Sequence, residues 1–272
     1  MTRRKRKPNA RVGSHSRAEK SSSGRARVDQ LAVNQGLARD PKHASALLLA
    51  GEILFEDQRL TSPGALLPGE SVLRRRHRKG HRYVSRGGLK LEAALNRFAP
   101  QLEGAICLDL GMSTGGFTDC LLQHGAAKVY GVDVGVGLAD RKLTEDRRVV
   151  LLEGTNARAL TPELLPDAIS LCVADLSFTS LRRTIGSVLF ALKPAAQLLL
   201  LIKPQFELER GAVGEGGIVR DPVARRRACE EVAEALRALG LTVEGWIPSP
   251  IQGAKGNQEY LLSARTPLGE KF

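Results

Sequence analysis

Between residues 105 and 265 the chain repeats one pattern, and that pattern limits the fold more than any other feature of the sequence. Five apolar runs follow one another: "AICLDLG", "KVYGVDV", "RVVLLEG", "ISLCVADL" and "QLLLLIK". The segments between them suit helices of about ten to fifteen residues. Strands that are apolar on both faces belong to a parallel sheet with helices packed above and below it. A long amphipathic helix is expected around Arg220–Leu239. Two more runs, "LTVEGWIPSP" and "QEYLLSAR", then follow with no helix between them. They predict a hairpin, and so one antiparallel strand in an otherwise parallel α/β sheet.

Sheets of this kind bind ligands beyond the carboxyl ends of their strands. The loop "DLGMSTGGFTDCLL", Asp109–Leu122, stands there, after the first strand and before a helix. No GK[ST] follows its glycines, and its GxxxGG spacing is not the GxGxxG of dinucleotide sites. Gly111, Gly115 and Gly116 allow close backbone approach to a ligand. Asp109 is placed to accept a hydrogen bond from a bound amino group. The next strand ends on Asp133, an acid about twenty residues further on, from where related folds grip ribose hydroxyls. A ribose acid and a glycine loop without a phosphate clamp favour an adenosine ligand lacking a pyrophosphate, and S-adenosylmethionine fits. Ser113 and Phe117 of the loop, and Asn156 past the third strand, complete the expected cofactor set. Asn156 has a turn cap as its alternative reading, and Phe117 and Phe178 read equally as core aromatics.

Charge divides the chain. Residues 1–90 hold 21 basic and 7 acidic side chains, net +14, and the remainder holds 20 and 22, net −2. A basic segment on a near-neutral body suits a polyanion partner. Residues 1–24 read as a disordered basic arm, rich in Lys, Arg and Ser. From Arg27 to about Val72 a small module is expected: a helix stopped at Gly36, a second helix, a Gly turn, and short strands around "EILFEDQRL" and "SVLRRR". The joint Leu73–Lys90 carries eight basic residues and no acid, so it is either a solvated linker or a phosphate-facing surface. Cys107, Cys120, Cys172 and Cys229 form no CxxC pair, which argues against zinc and for buried reduced thiols in a cytoplasmic protein. The apolar runs are too short to span a bilayer, and no apolar stretch follows the basic start as in a signal peptide.

"YVSRGGLKLEAAL", "LDLGMSTGGFTDCLLQHGA", "VYGVDVG", "VADLSF", "LIKPQFE" and "GNQEYLL" occur together and in this order. In them the chain resembles the TlyA family of ribosomal RNA 2′-O-methyltransferases, some of which carry the name haemolysin, and its catalytic part is similar to FtsJ-type methyltransferases. The resemblance covers about Arg27–Arg265. It implies a class I methyltransferase fold, a seven-stranded Rossmann-like sheet with the last strand antiparallel, at residues 88–266. It also implies an alpha-L RNA-binding domain at 25–73, a basic linker at 74–87 and a tail at 267–272. S-adenosylmethionine is the implied cofactor, cytidine ribose hydroxyls of ribosomal RNA the substrate, and ribosomal subunits the partner of a monomer or weak dimer. No metal is required.

The family's Lys–Asp–Lys–Glu tetrad falls on Lys90, Asp175, Lys203 and Glu259. Lys203 is expected to contact the 2′-oxygen and stabilise its developing anion, or to take its proton if Lys90 weakens its basicity. Asp175 is expected to hold both lysines and to favour the sulfonium, and Glu259 to orient Lys203 or the ribose. Expected RNA contacts are Arg27, Arg39, Lys42, Arg74, Arg75, Arg76, Arg78, Lys79, Arg82, Ser85 and Arg86. Two departures stand out: Met112 where relatives commonly carry a small residue, and "ARDPKHA" where a Ser-Arg pair usually begins the second helix. Met112 either narrows the pocket or points away from it. Against the methyltransferase stand two other classes, a non-catalytic RNA-binding or ribosome-assembly protein and a membrane-lytic haemolysin. The retained tetrad disfavours the first, and the want of a spanning segment or secretion signal disfavours the second.

Overall fold

A computed structural model describes residues 24–56, 58–75 and 82–269. Residues 1–23 of the expected basic arm therefore lie outside the described residues, as do Arg76, Arg78 and Lys79.

A small unit comes first. Strand β1 (Arg25–Arg27) pairs antiparallel with β4 (Leu66–Pro68), a pairing that the sequence did not announce. Helix α1 (Val28–Asn34) ends before Gly36, whose φ of 69° lies in the left-handed region that glycine adopts without penalty. Helix α2 (Pro41–Leu49) begins at the unusual "DP": Asp40 is its N-cap, accepting from the His43 amide at 2.8 Å, and Pro41 takes the first helical position. Strands β2 (Ile53–Phe55), β3 (Gln58–Leu60) and β5 (Arg74–Arg75) form a sheet of order β3-β2-β5. Val28, Leu31, Leu47, Leu48, Ile53 and Leu73 close a small core.

The second unit is the α/β sheet. Helix α3 (Gly87–Phe98) leads into β6 (Ile106–Leu110), α4 (Gly116–Gln123), β7 (Lys128–Asp133), α5 (Arg141–Thr144), β8 (Val149–Glu153), β9 (Ile169–Ala174) and β10 (Leu192–Ile202). Then come α6 (Pro204–Glu207), α7 (Pro222–Ala238), β11 (Thr242–Pro248) and β12 (Tyr260–Arg265). The strand order is β11-β12-β10-β9-β6-β7-β8. β6 to β10 run parallel, and β12 runs antiparallel to both β10 and β11, as the hairpin required.

Side chains of β10 show why its run is apolar throughout. Leu198, Leu200 and Ile202 enter one core with Cys229, Val232 and Leu236 of α7, while Leu199 and Leu201 enter the other with α3 and α4. The expectation of helices of ten to fifteen residues between strands fails in several places. After β8 there is only a 3-10 turn at Ala157–Ala159, and before β10 there are 3-10 segments at Leu181–Arg183 and Ile185–Ala191. Pro162 and Pro166 break the first connection, and Thr184 and Gly186 are poor helix formers in the second.

All four cysteines are buried and unpaired with one another. Burial pushes the thiols of Cys107, Cys120 and Cys229 up to about 12, which makes them packing groups and not nucleophiles. Among the described residues no helix is long and apolar enough to cross a membrane.

Candidate active site

The parallel strands deliver their carboxyl ends to one edge, and the antiparallel β12 starts at that same edge. Asp109, Asp133, Asp175, Lys203 and Glu259 meet there because each ends, follows or precedes a strand of the one sheet.

The glycine loop is shaped mostly by the protein itself. Gly111 has φ 80°, and a side chain there would sit 2.5 Å from the Asp175 carbonyl oxygen. At Gly115 (φ 92°) a Cβ would strike Leu143, and at Gly116 it would lie 2.1 Å from Ser85 Oγ. The last two glycines therefore admit neighbouring side chains, where the sequence had suggested approach to a ligand. Met112 is buried against Gly131 and Gly115, so it turns into the core and does not narrow the site. Phe117, offered as a cofactor contact, is likewise a core residue at 3% exposure. Asn156 is exposed and caps the turn after β8, its side-chain oxygen accepting from the Arg158 amide at 3.0 Å.

Two carboxylates fit an adenosine ligand. Asp133 is held by the amides of Ser113 (2.8 Å) and Gly135 (2.7 Å), one on each oxygen, which leaves each oxygen a further lone pair for a ribose hydroxyl. Ser113 adopts φ 51° to make this bond. Asp109 is fully buried. Its Oδ2 accepts from Thr118 Oγ1 at 2.7 Å, and its Oδ1 is buried with no partner. Burial, with the nearby charges of Asp175 and Asp133, pushes its carboxyl up to about 7 against the pull of Thr118. An orphaned buried acceptor beside a ribose acid suits a ligand with an amino group.

The four tetrad residues come together as two ion pairs. Lys90 Nζ lies 2.5 Å from Glu259 Oε2, and Lys203 Nζ lies 2.6 Å from Asp175 Oδ1. Lys203 also donates to Ser177 Oγ at 2.8 Å. Lys90, Lys203 and Glu259 are all buried. Burial would lower the pKa of Lys90, but Asp175 and Glu259 outweigh it and the net direction is upward. Burial would raise that of Asp175, but Lys203 and Lys90 bring it below the ordinary carboxylate value. Asp175 thus pairs with Lys203 and raises the pKa of Lys90, while of the two lysines Glu259 pairs with Lys90 and not with Lys203. Gly253 lies against Glu259, where a side chain would meet Oε1 at 1.9 Å.

Beside Lys203 an open cleft of about 770 Å³ is lined by the 178–183 loop, the 205–210 turn and Arg158. Phe178 is 82% exposed with φ 63°, and its ring packs on Phe206 at 5.3 Å. A large aromatic held bare in a strained backbone has a use other than core packing. Sequence reasoning had named Phe178 but missed Ser177 and Glu207, which lie inside the quoted "LSF" and "KPQFE" without any strand-end position to single them out.

The expected RNA contacts are dispersed. Lys42, Arg74 and Arg75 are exposed on the small unit. Arg27 engages Asp29 through bonds of 2.6 and 3.0 Å, a local ion pair that occupies two of its five N–H donors on an exposed side chain. Arg39 lies across Gly137, in space a side chain would fill, on the loop that follows Asp133. Arg82 pairs with Glu92. The described end of the joint, from Arg82 onward, is tied into the fold. Tyr83 is buried with its hydroxyl on Glu92, and the Val84 amide donates to buried Asp119 at 2.8 Å. Ser85 packs on Gly116 and Arg86 precedes α3, so this turn is fastened to the cofactor loop.

Residues 83–266 match the FtsJ-like methyltransferase family. A 16S/23S rRNA (cytidine-2′-O)-methyltransferase TlyA of Mycobacterium tuberculosis is 43% identical over 242 residues, 89% of this chain and 90% of that protein. A protein named Hemolysin A, from Brachyspira hyodysenteriae, is 39% identical and covers 86% of this chain and 98% of its own length. A putative hemolysin structure from Streptococcus thermophilus superposes with a TM-score of 0.67 at 38% identity, covering 90% of each chain. With its sheet order, its strand-end acids and a match that runs from Tyr83 to the end of the last strand, this chain belongs to the FtsJ-like methyltransferase family.

Proposed function

We infer that the protein transfers a methyl group from S-adenosylmethionine to the ribose 2′-hydroxyl of a cytidine in ribosomal RNA. One observation carries the reading: Lys203, buried and fixed by Asp175 and Ser177, stands at the strand edge that also holds Asp109 and Asp133. S-adenosylmethionine, when bound, supplies an electrophilic methyl on a sulfonium. Asp133 takes ribose hydroxyls, and Asp109 Oδ1 takes the amino group. Glu259 and Asp175 match the charges of Lys90 and Lys203, so the tetrad sets no net positive charge against the sulfonium.

A ribose hydroxyl is a weak nucleophile, so alignment and charge stabilisation supply most of the acceleration. Lys203 has one donor directed to Ser177 and its ammonium locked beside Asp175, which leaves a donor for the 2′-oxygen. It lowers the energy of the negative charge that develops there as the hydroxyl proton passes to water. The Lys90–Glu259 pair fills the next position, and Asp175 lies close enough to couple the two lysines. Phe178 offers a ring on which an unpaired base stacks beside Lys203.

In this reading residues 25–73 bind RNA with Lys42 exposed on their surface, residues 74–87 link the units and add Arg74 and Arg75 to the RNA contact, and residues 88–266 catalyse. Four buried thiols suit a reducing cytoplasm. The test is transfer of labelled methyl to purified ribosomal subunits, wild type beside Lys203→Ala. Label in 2′-O-methylcytidine that disappears in the variant supports both reaction and site. Cofactor binding without transfer to either subunit points to another RNA, and loss of both points to a non-catalytic RNA-binding protein.

A further inference from the structure

Glu207 is 3% exposed, and the mechanism above assigns it nothing. It closes α6, the single turn that starts immediately after Lys203. Its carboxylate leaves that turn and crosses to the loop after β9, accepting from Ser180 Oγ at 2.5 Å and from the Leu181 amide at 2.8 Å. Arg182 completes the junction: it lies 3.5 Å from the same carboxylate and donates to the Glu207 carbonyl at 2.5 Å. Arg182 is anchored in turn on Glu231 of α7 at 3.0 Å.

The two segments so joined are those that build the reacting edge. The loop brings Ser177, which accepts from Lys203, and the strained, exposed Phe178. The turn brings Lys203 itself and Phe206, on which Phe178 rests. A loop that holds a bulky residue at φ 63° relaxes unless its surroundings over-determine it, and a single buried carboxylate with three partners on that loop does so.

We propose that Glu207 is a positioning residue for methyl transfer: by clamping Ser180–Arg182 to the α6 turn it fixes Ser177 against Lys203 and Phe178 against Phe206. The proposal rests on the reading of Lys203 given above. The bonds of Glu207 go to Ser180, Leu181 and Arg182, whereas Asp109 and Asp133 bond to Thr118, Ser113 and Gly135. The effect of Glu207 should therefore fall on the transfer step and not on cofactor affinity.

The test compares wild type, Glu207→Gln, Ser177→Ala and the double variant. Glu207→Gln keeps an acceptor for the Leu181 amide but turns an NH2 group towards Ser180 or Arg182, so it loosens the clamp with little change of volume. The single-turnover rate on ribosomal subunits should fall about 10- to 100-fold, as expected when a reacting group is misplaced by about 1 Å. The dissociation constant for S-adenosylmethionine should stay within about twofold, since no contact to that site is lost. Because Glu207 acts through Ser177, the double variant should lose less than the product of the two single losses. Without any substrate, amide hydrogen exchange in Glu207→Gln should quicken in residues 177–183 and not in residues 109–117.

An unchanged transfer rate in folded Glu207→Gln overturns the proposal, and so do multiplicative losses or exchange that quickens equally in both segments. If the wild type itself transfers no methyl, the reading of Lys203 fails, and the exchange measurement still decides whether Glu207 holds the loop.

Discussion

Replacing Asp109 by Asn should separate the cost of the buried carboxylate from its use. The side chain is fully buried, one oxygen on Thr118 and the other without a partner. Burial foremost, aided by Asp175 and Asp133, raises its pKa to about 7 from an ordinary value near 3.8. The folded protein thus holds this proton more tightly than the unfolded chain does. Stability falls as pH rises through the window between those two values, and the loss is complete above about pH 7. Between pH 5 and pH 8 the wild type should lose about 3 kcal/mol through this group, at about 1.4 kcal/mol for each pH unit up to 7. Asn cannot ionise and still offers Thr118 a carbonyl, so Asp109→Asn lacks that loss. Urea denaturation of both proteins at pH 5 and pH 8 measures the difference. The advantage of Asp109→Asn should grow by about 3 kcal/mol from pH 5 to pH 8, equivalent to about 6–12 °C in melting temperature for a chain of this size. Cofactor affinity should move the other way and weaken about 10- to 100-fold at pH 8, the worth of a hydrogen bond to a charged group. A stability difference that does not change with pH would refute the assignment of a raised pKa. Unaltered cofactor affinity would remove Asp109 from the ligand site.

Three further outcomes are expected. Glu259→Ala leaves Lys90 buried without its partner and should destabilise the fold by about 3–5 kcal/mol in denaturant titrations at pH 7, whereas Lys90→Met with Glu259→Leu should recover much of that loss. Phe178→Ala removes an exposed ring, so its melting temperature should stay near wild type while methyl transfer to ribosomal subunits falls by the roughly 1–3 kcal/mol of a lost base stack; a matching fall in stability would place Phe178 in the core instead. Gly116→Ala forces a methyl group onto Ser85 Oγ and the Gly88 amide, and should cost about 1–3 kcal/mol in thermal unfolding as an overpacked contact. Pairing it with Ser85→Gly should restore most of that stability.

Strand identity and sheet class were legible in the sequence because they depend on local pattern. The doubly apolar β10 can be buried only between two layers, and "LTVEGWIPSP" followed directly by "QEYLLSAR" leaves no chain for a crossover. Strand-end acids and lysines were legible for the same reason, since a charge closing an apolar run must stand at the sheet edge. Side-chain choices between neighbours were not. Sequence alone left Asn156 and Phe117 two readings each, and tertiary contacts made the first a cap and the second core; Arg27, expected on RNA, pairs with Asp29. The glycine loop looked shaped for a ligand, but Gly115 and Gly116 answer to Leu143 and Ser85, residues about 30 positions away in either direction. The pairing of Lys90 with Glu259 joins residues 169 positions apart, and that of Glu207 with Ser180 spans 27. Periodicity fixes which face a residue occupies, because backbone geometry repeats every two or 3.6 residues. Which charge meets which depends on where the chain returns, and only the closed tertiary structure brings those groups within hydrogen-bonding reach.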